Sequence, residues 1–575
     1  MNFPMLKLFR RNKRGRIRQE IAPEDIFLDS SNLPLFDQDQ MEGRIEKAIS
    51  QKYIAVLGVF LIFVGIFFLG RAYYLQIQNG DFYRNKSENN HLRNTTIFGD
   101  RGLITDRNGT LLAWNTPPEN SESYSIRKYI DAGGFGNLLG FVKYPAKDNN
   151  GFFYQSELSG RDGIESYFNT LLAGKNGLNI VETDAVGKIE SQSAIRPPEE
   201  GKKLILSIDA DVQKSLYKNI QQTVTTSGFV GGGGIIMDIQ TGEVLAITTY
   251  PEYSSSVMTD GKDSTLISSY FQDKRNLFLD RAISGLYAPG SIMKPYIALG
   301  ALNEGVVSPD KKIESKGFIT VPNPYDPTKP TIFKDWRVNG WTDVREALSV
   351  SSDVYFYAIG GGYEDQKGMG ISAIDKYASL FGFGKGVSDS FFSIKNSGVI
   401  PTPEWKSKAF NGDIWRLGDT YTSSIGQFGF QVTAVQAVRA VSAIANGGTL
   451  IDPQIVKKGE EGAEVVKPIV IQGINPQNFS TVKEGMRLAV TNGTLTLLNY
   501  PDFEIAAKSG TAEVGSEKKY INSWVTGFFP YENPKYAFAF IMEKGPAQYR
   551  EGASSAAQRF FNDMNMSTST RAYLR

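Results

Sequence analysis

The feature that most constrains this chain is an uncharged apolar stretch from Tyr53 to Leu69, YIAVLGVFLIFVGIFFL, bracketed by Lys52 and Arg71. About 18 helical residues at 1.5 Å each span about 27 Å, which matches the hydrocarbon core of a bilayer. A polar stretch of 52 residues precedes it. No small-residue cleavage site follows it, which disfavours a cleaved signal peptide. A core helix of this length would normally carry a polar face. The sequence therefore predicts a retained transmembrane helix over residues 53–70.

Basic residues are concentrated before this stretch. The outer flank carries only Arg71, Arg84 and Lys86. The first 18 residues carry Lys7, Arg10, Arg11, Lys13, Arg14, Arg16 and Arg18. Positive charge stays on the cytoplasmic side of a membrane, so residues 1–52 are predicted to be a cytoplasmic tail. The sequence thus predicts a single-pass protein of the cell (inner) membrane whose large C-terminal part is extracytoplasmic.

Composition excludes several kinds of chemistry. The formal net charge is +1, which argues against a global affinity for nucleic acid. There is no cysteine, so disulfides, thiolate metal sites and a cysteine nucleophile are excluded. The one histidine, His91, would have to serve any Ser–His–Asp triad or histidine zinc site. We expect no metal and no cofactor.

The rest of the chain divides at a linker, residues 197–201 (PPEEG). Before it, residues 71–200 carry turn signals at 106–109 and 175–177 between short apolar runs, which predicts a strand-rich pedestal with hairpins. After it, strands are predicted at both ends of the domain, at 204–208, twice within 232–250, and at 504–514, 523–529 and 536–543. Helices are predicted at 210–223, 291–303, 344–359 and 433–445. This order predicts an α+β domain over residues 201–575 whose sheet is closed by the C-terminal strands.

The first candidate catalytic motif is Ser291-Ile292-Met293-Lys294, in LYAPGSIMKP. Residues three apart share a helix face, so the Lys294 amine can lie beside the Ser291 hydroxyl and accept its proton. Burial or neighbouring positive charge can lower a lysine pKa enough for this role. The spacing alone is weak, because it also occurs at Ser125/Lys128, Ser215/Lys218, Ser308/Lys311, Ser480/Lys483 and Ser516/Lys519.

A second motif, Ser351-Ser352-Asp353, follows about 60 residues later. The Ser351 hydroxyl can relay a proton, and Asp353 can orient a lysine or accept a hydrogen bond from a substrate amide. The alternative interpretation is a helix N-cap, since serine and aspartate are favoured there.

The third motif is Lys508-Ser509-Gly510-Thr511, about 160 residues further on, in a predicted strand. Lys508 supplies positive charge, and the Ser509 and Thr511 hydroxyls can hold a carboxylate. Gly510 permits close approach of a substrate backbone. Such a strand can also direct a backbone N–H at an oxyanion. A lone KSG would more often be a surface turn, but the ordered set S-x-x-K, S-x-N/D, K-T/S-G is typical of penicillin-binding proteins and related β-lactamases.

The flanking sequence extends this likeness over nearly all of the extracytoplasmic part. FGDRGLITDRNGTLLAWN (98–115) and SGRDGIESYFNTLLAGKNG (159–177) resemble pedestal motifs of class B penicillin-binding proteins. IPTPEWK (400–406), LGDTYTSSIGQ (417–427) and the text of 432–450 are similar to the elongation type, the penicillin-binding protein 2 or MrdA-like group.

The resemblance implies a serine-type D-Ala-D-Ala transpeptidase that cross-links peptidoglycan stem peptides through a Ser291 acyl-enzyme. It implies that β-lactams acylate the same serine and that the partner is a RodA-type SEDS glycosyltransferase. Lys294, Ser351, Asp353 and Lys508 would be catalytic, and Ser509, Gly510 and Thr511 would bind substrate.

The chain also departs from the family pattern. Asp353 stands where many relatives have asparagine, and Phe428 stands where glycine is expected. The third motif, KSG, is closer to division-type usage. Only about 20 residues separate Asn115 from residue 136, so a shortened pedestal head is expected. That head is where a scaffold such as MreC would bind. The zinc site of some elongation-type members is not implied here, because cysteine is absent.

Other functions stay open from sequence alone. They are a division-type transpeptidase, a β-lactam-binding sensor or scaffold without cross-linking activity, and a serine β-lactamase or carboxypeptidase that transfers the acyl group to water. A sensor would need more spans or a cytoplasmic effector. The large tethered pedestal disfavours a β-lactamase.

Overall fold

A computed structural model of the protein describes residues 51–89, 92–118, 123–148, 153–183, 189–323, 326, 328–387, 390–393, 397–465, 467–515, 518–548 and 551–575. Most of the predicted cytoplasmic tail, His91 and Ser516 lie outside these residues. The chain divides into two compact units, Met1–His91 and Leu92–Arg575.

The first unit is helical over its described residues. A helix at Gln51–Tyr73 continues through a π turn at Tyr74–Gln78 into a second helix, Gly80–Asn89. Residues 54–78 are long and apolar enough to cross a membrane, and none of their most apolar window is buried in the structure. The prediction that residues from 71 onward are strand-rich is wrong up to residue 89, because no proline or glycine interrupts the helix between Arg71 and Asn79.

The pedestal begins with the strand Leu92–Ile97. Its described strands form one sheet of three, one sheet of four and two short pairs, which join Val142–Lys143 to Ser159–Gly160 and Ala146–Lys147 to Phe153–Gln155. The three-stranded sheet contains Leu92–Ile97, Gly177–Thr183 and Ile189–Arg196, and the four-stranded sheet contains Leu204–Ile205, Ile104–Thr105, Leu111–Thr116 and Ile126–Tyr129. The predicted hairpin at 106–109 is confirmed by the antiparallel pairing of the strands on either side of it. The turn at 175–177 instead joins the helix Asn169–Leu172 to a strand.

The linker does not cleanly separate the two predicted domains. Leu204–Ile205, the beginning of the predicted strand 204–208, pairs in parallel with Ile104–Thr105 of the pedestal. Ser207 then donates from its hydroxyl to the carbonyl of Val244 at 2.8 Å, within the following domain. Residues 204–207 are therefore hydrogen-bonded both to the pedestal and to the domain that follows it.

The second domain is built on a five-stranded antiparallel sheet, which confirms the predicted closure by C-terminal strands. In spatial order its strands are Val244–Tyr250, Gly231–Asp238, Tyr536–Pro546, Tyr520–Phe529 and Ala506–Val514. The last of these, here named the KSG strand, lies at one edge. Ala210–Ser227 and Ala553–Met566 pack on one face through Leu216, Phe538 and Phe560, and Ala434–Ala445 covers the other.

The remaining helices of this domain lie mainly between the second and third strands in sequence. They are Ser255–Asp260, Ser264–Gln272, Lys294–Asn303, Val344–Val350, Asp353–Gly361, Gly370–Leu380, Pro403–Ala409, Leu417–Ser424 and Pro476–Asn492. Short antiparallel pairs join Ile313–Ser315 to Gly340–Thr342, Phe318–Val321 to Thr331–Lys334, and Thr449–Leu450 to Ile469–Val470.

The predicted helix over 344–359 is in fact two helices, Val344–Val350 and Asp353–Gly361. Ser351 adopts a left-handed backbone with φ of 56°. Ser352 is the N-cap of the second helix and accepts from the N–H of Tyr355. A serine at φ near +56° ends a helix. The apolar periodicity of the sequence continues across residue 351, so it did not predict this break between the two helices.

Candidate active site

The nucleophile turn, Gly290–Met293, is a short 3-10 segment that leads into the helix Lys294–Asn303. Pro295 occupies the first turn of that helix, where its missing N–H breaks no hydrogen bond. Gly290 has φ of 57°, and a Cβ on it would lie 2.5 Å from the carbonyl oxygen of Thr511. Glycine at 290 therefore lets the turn carrying Ser291 pack directly against the KSG strand.

Gly510 supplies the other half of this contact. A Cβ at Gly510 would lie 2.7 Å from the carbonyl oxygen of Pro289 and 2.8 Å from Cγ2 of Ile292. The sequence predicted that this glycine allows a substrate backbone to approach. In the structure the backbone that approaches is the nucleophile turn itself.

Two lysines meet at one hydroxyl. Lys294 Nζ donates to Asp353 Oδ1 at 2.6 Å, to the Ser351 carbonyl at 2.8 Å and to Ser351 Oγ at 3.3 Å. Lys508 Nζ donates to Ser351 Oγ at 2.8 Å and to the Ser509 carbonyl at 2.9 Å. Both lysine side chains are fully buried. Ser351 Oγ thus accepts from both lysine amines, and its own proton is left to donate elsewhere.

The environment of Lys508 disfavours its positive charge. Burial, and then the neighbouring charge of Lys294, hold the pKa of Lys508 well below its usual range, while Asp353 opposes the shift. Lys508 is not among the residues that line the cavity, and it is linked to the cavity through its hydrogen bond to Ser351.

These groups surround a cavity of about 350 Å³. Its lining residues are Ser291, Trp336, Ser351, Asp353, Gln427, Thr494, Ser509 and Thr511. The hydroxyls of Ser509 and Thr494 are 3.0 Å apart. Larger cavities of about 480 and 510 Å³ lie around Glu252, but neither is lined by a residue of the three motifs. The cavity with all three motifs is the candidate active site.

The other S-x-x-K pairs are not part of this cavity. Ser215/Lys218 and Ser480/Lys483 lie on the helices Ala210–Ser227 and Pro476–Asn492. Ser125 precedes a pedestal strand, and Ser308 is in a turn. Of the pairs that the structure describes, only Ser291/Lys294 joins the second and third motifs.

Sequence reasoning missed Asp335, whose carboxylate accepts hydrogen bonds at the second motif. Its Oδ2 accepts from Ser352 Oγ at 2.7 Å, from Ser315 Oγ at 3.0 Å and from the N–H of Val354 at 3.1 Å. Its Oδ1 accepts from the N–H of Trp336 at 2.8 Å. A carboxylate at the N-terminus of the helix Asp353–Gly361 is favourable electrostatically. No local pattern marks this residue, because its partners come from three separate segments.

Phe428 stands where glycine is expected, and its backbone adopts a conformation that is typical of glycine. Phe428 has φ of 56°. Its ring contacts those of Trp415, Trp405 and Phe410, with centroids 5.5, 6.0 and 6.2 Å away. Lys406 Nζ lies 5.5 Å from the same ring. These contacts offset the strain of a non-glycine residue in this region, next to Gln427 in the cavity wall.

Comparison with known proteins agrees with this geometry. Residues 232–565 match the penicillin binding protein transpeptidase domain, and residues 119–206 match the penicillin-binding protein dimerisation domain. The chain is similar to the peptidoglycan D,D-transpeptidase MrdA of Haemophilus influenzae, with 28% identity over 88% of this chain and 89% of that protein.

Solved structures show the same fold. The crystal structure of Pseudomonas aeruginosa penicillin-binding protein 2 in complex with WCK 5153 matches with a TM-score of 0.67 and 27% identity, over 83% of this chain and 98% of that chain. The Helicobacter pylori penicillin-binding protein 2, in its complex with MreC, matches with a TM-score of 0.65 and 24% identity, over 82% of this chain and 98% of that chain. The family model covers more than half of the sequence and includes all three motifs, so this chain belongs to the penicillin-binding protein transpeptidase family.

Proposed function

We propose that the protein is a peptidoglycan D,D-transpeptidase of the elongation type that works through an acyl-enzyme on Ser291. The observation that carries the proposal is the Ser351 hydroxyl, joined to both Lys294 and Lys508 in the wall of the cavity that Ser291 lines. The similarity to MrdA supports the elongation type over the division type.

In the first half-reaction, Ser291 Oγ bonds to the carbonyl carbon of the penultimate D-alanine and the amide C–N bond breaks. The proton leaves Oγ with Lys294 as the proposed base and ends on the amine of the departing terminal D-alanine. Ser351 lies between the two lysines and is the proposed relay. In the second half-reaction, an amine of a neighbouring stem peptide forms the cross-link, the ester breaks and the proton returns to Oγ.

The cavity also has groups to bind the substrate. The hydroxyls of Ser509 and Thr511 line it and are the proposed partners of the terminal carboxylate. The Ser291 N–H lies in the first turn of a helix, where backbone donors have no partner within the helix. With a backbone N–H of the adjacent KSG strand, it is the proposed oxyanion donor.

The test is acylation of the full-length protein in detergent by fluorescent penicillin. We expect labelling of the wild type, none of Ser291→Ala, and a wild-type level for Ser308→Ala, which shares the S-x-x-K spacing outside the cavity. Mass spectrometry should place the adduct on the peptide containing Ser291. An adduct on Ser351, or none in folded protein, contradicts the assignment. Rapid release of hydrolysed penicillin would favour a β-lactamase.

We also propose a membrane-embedded RodA-type polymerase as partner. The two matched domains have no role in making glycan strands, and the helix Gln51–Tyr73 provides an apolar surface for contact within the bilayer. The N-terminus would then be cytoplasmic and the matched domains extracytoplasmic. Co-purification of the two full-length proteins tests this, with a form lacking residues 1–70 as control. Capture of a division-type polymerase instead would favour the division role. Failure to capture either polymerase, with penicillin binding intact, contradicts the partnership.

A further inference from the structure

A short segment at the rim of the catalytic cavity has no role in the mechanism above. It follows the strand Thr331–Lys334 and contains Asp335, Trp336 and Arg337. Trp336 lines the cavity, and it is 55% exposed. Its Nε1 donates to the Val350 carbonyl at 3.1 Å, which ties the ring to the residue preceding Ser351. An exposed tryptophan that is held in one orientation forms a rigid wall for a ligand.

Arg337 is stacked on this wall. Its guanidinium carbon lies 4.4 Å from the centroid of the Trp336 ring. Its Nε donates to Asn339 Oδ1 at 2.9 Å, and Asn339 Nδ2 donates to Asp335 Oδ2 at 3.1 Å. The stack and this chain of hydrogen bonds hold the guanidinium in place. No described residue accepts a hydrogen bond from Nη1 or Nη2 of Arg337, so the outer fork is open. A held arginine fork is suited to a carboxylate, because little side-chain entropy is lost on binding.

The charges of the cavity show why such a fork would matter. Of the eight lining residues only Asp353 is charged, and it is negative. Lys294 and Lys508 are fully buried and are occupied by Ser351. A second carboxylate on a ligand, away from Ser509 and Thr511, would meet no exposed cation in the lining. Arg337 is not itself a lining residue, but it stacks on Trp336, which is.

We propose that Arg337, stacked on Trp336, binds a second carboxylate of the acyl-donor stem peptide, one outside its D-Ala-D-Ala end. The inference rests on the proposed function, because it takes the stem peptide as substrate. It implies a preference for donors whose third residue carries a free carboxylate over donors in which that group is a carboxamide. The loss of one charged hydrogen-bonded contact corresponds to a roughly tenfold difference in affinity.

The experiment compares two synthetic stem pentapeptides that differ only in this group. Each is tested for protection of Ser291 against fluorescent penicillin in the full-length protein, and each variant's protection is normalised to its own acylation rate without peptide. We expect the carboxylate peptide to protect wild type at a concentration roughly tenfold lower. In Arg337→Ala the difference should vanish, and in Arg337→Lys, which keeps the charge without the fork, it should be partial. Arg161→Ala, at an exposed pedestal arginine, is the matched control.

Equal protection of the wild type by both peptides overturns the subsite. So does a preference that survives in Arg337→Ala, and so does failure of both peptides to protect. A wild-type protein that penicillin does not acylate at all refutes the proposed function instead, so the two failures are distinguishable.

Discussion

The pedestal and the catalytic domain each bury two basic side chains beside one carboxylate. In the pedestal, Glu165 accepts from Arg101 Nε at 2.5 Å and from Arg127 Nε at 2.8 Å, and all three side chains are inaccessible to solvent. In the catalytic domain, Asp353 accepts from Lys294 at 2.6 Å, and Lys508 joins through Ser351. The two clusters have the same number of basic and acidic groups, but their chemistry differs.

Arginine keeps its proton at any pH a protein meets, whereas a buried lysine gives it up readily. The pedestal cluster is therefore a permanent set of charges. Arg101 is further held by the carbonyls of Leu158 and Glu165, at 2.9 and 2.8 Å. The lysine cluster of the catalytic domain faces a cavity, and burial holds the pKa of Lys508 well below its usual range. Arginines around a buried carboxylate thus form a structural charge cluster, whereas lysines beside a carboxylate are suited to acid–base chemistry.

The largest effect is expected from removing Lys294. Lys294→Ala should slow acylation by fluorescent penicillin about 10²–10⁴-fold, as loss of a general base does. Lys294→Arg makes the catalytic cluster resemble the pedestal cluster, because an arginine keeps its proton and cannot serve as a base. We expect it to be as slow as the alanine variant. Stopped-flow labelling measures both rates, and Lys483→Ala, outside the cavity, is the control. An arginine variant that acylates at the wild-type rate would show that charge alone suffices.

The next effect concerns stability. Glu165→Gln leaves two buried arginines without a counter-charge and should lower the free energy of unfolding by about 3–5 kcal/mol. Burial alone would raise the pKa of Glu165, but Arg127 and Arg101 outweigh it and the pKa is lowered. The stabilisation is therefore present above the ordinary glutamate pKa of about 4.3 and is lost as pH falls through the folded value.

Urea denaturation of the wild type and of Glu165→Gln, at pH 7 and at decreasing pH, measures this effect. The difference between the two proteins should shrink in acid. Penicillin acylation of the folded fraction should stay near wild type, since the pedestal cluster lies outside the cavity. Equal stability of the two proteins at pH 7 would contradict the structural role of the cluster.

The smallest effect is the pH dependence contributed by Lys508. Because its pKa is lowered in the folded protein, the unfolded chain binds more protons between that value and the ordinary lysine pKa. The free energy of unfolding should therefore rise with pH across this window, and Lys508 contributes at most about 1.4 kcal/mol per pH unit to that rise. Lys508→Met should flatten that rise, and Lys385→Met, at an exposed lysine, should not. Parallel pH profiles of wild type and Lys508→Met in chemical denaturation would show that Lys508 is not destabilised when charged.

Local sequence patterns predicted the helices and strands whose burial follows a regular period along the element. The C-terminal strands and the helix Ala434–Ala445 lie within one or a few residues of their predicted bounds, because alternation or helical periodicity reports burial directly. The patterns failed where a backbone exception interrupts them. The left-handed Ser351 divides one predicted helix into two, and the strand expected at 204–208 is reduced to two residues shared with the pedestal.

The order of the three motifs selected Ser291 among the S-x-x-K pairs and, together with the flanking sequence, identified the family, because residue type and spacing are properties of the linear sequence. The apolar stretch likewise predicted a helix that is long and apolar enough to cross a membrane. Only the tertiary structure decided which groups act on one another. Lys508 donates to Ser351 from outside the cavity lining, Gly510 accommodates the nucleophile turn, and Asp335 accepts a hydrogen bond from Ser352 of the second motif. These contacts join residues far apart in the chain, so their geometry depends on how the sheet, helices and hairpins pack.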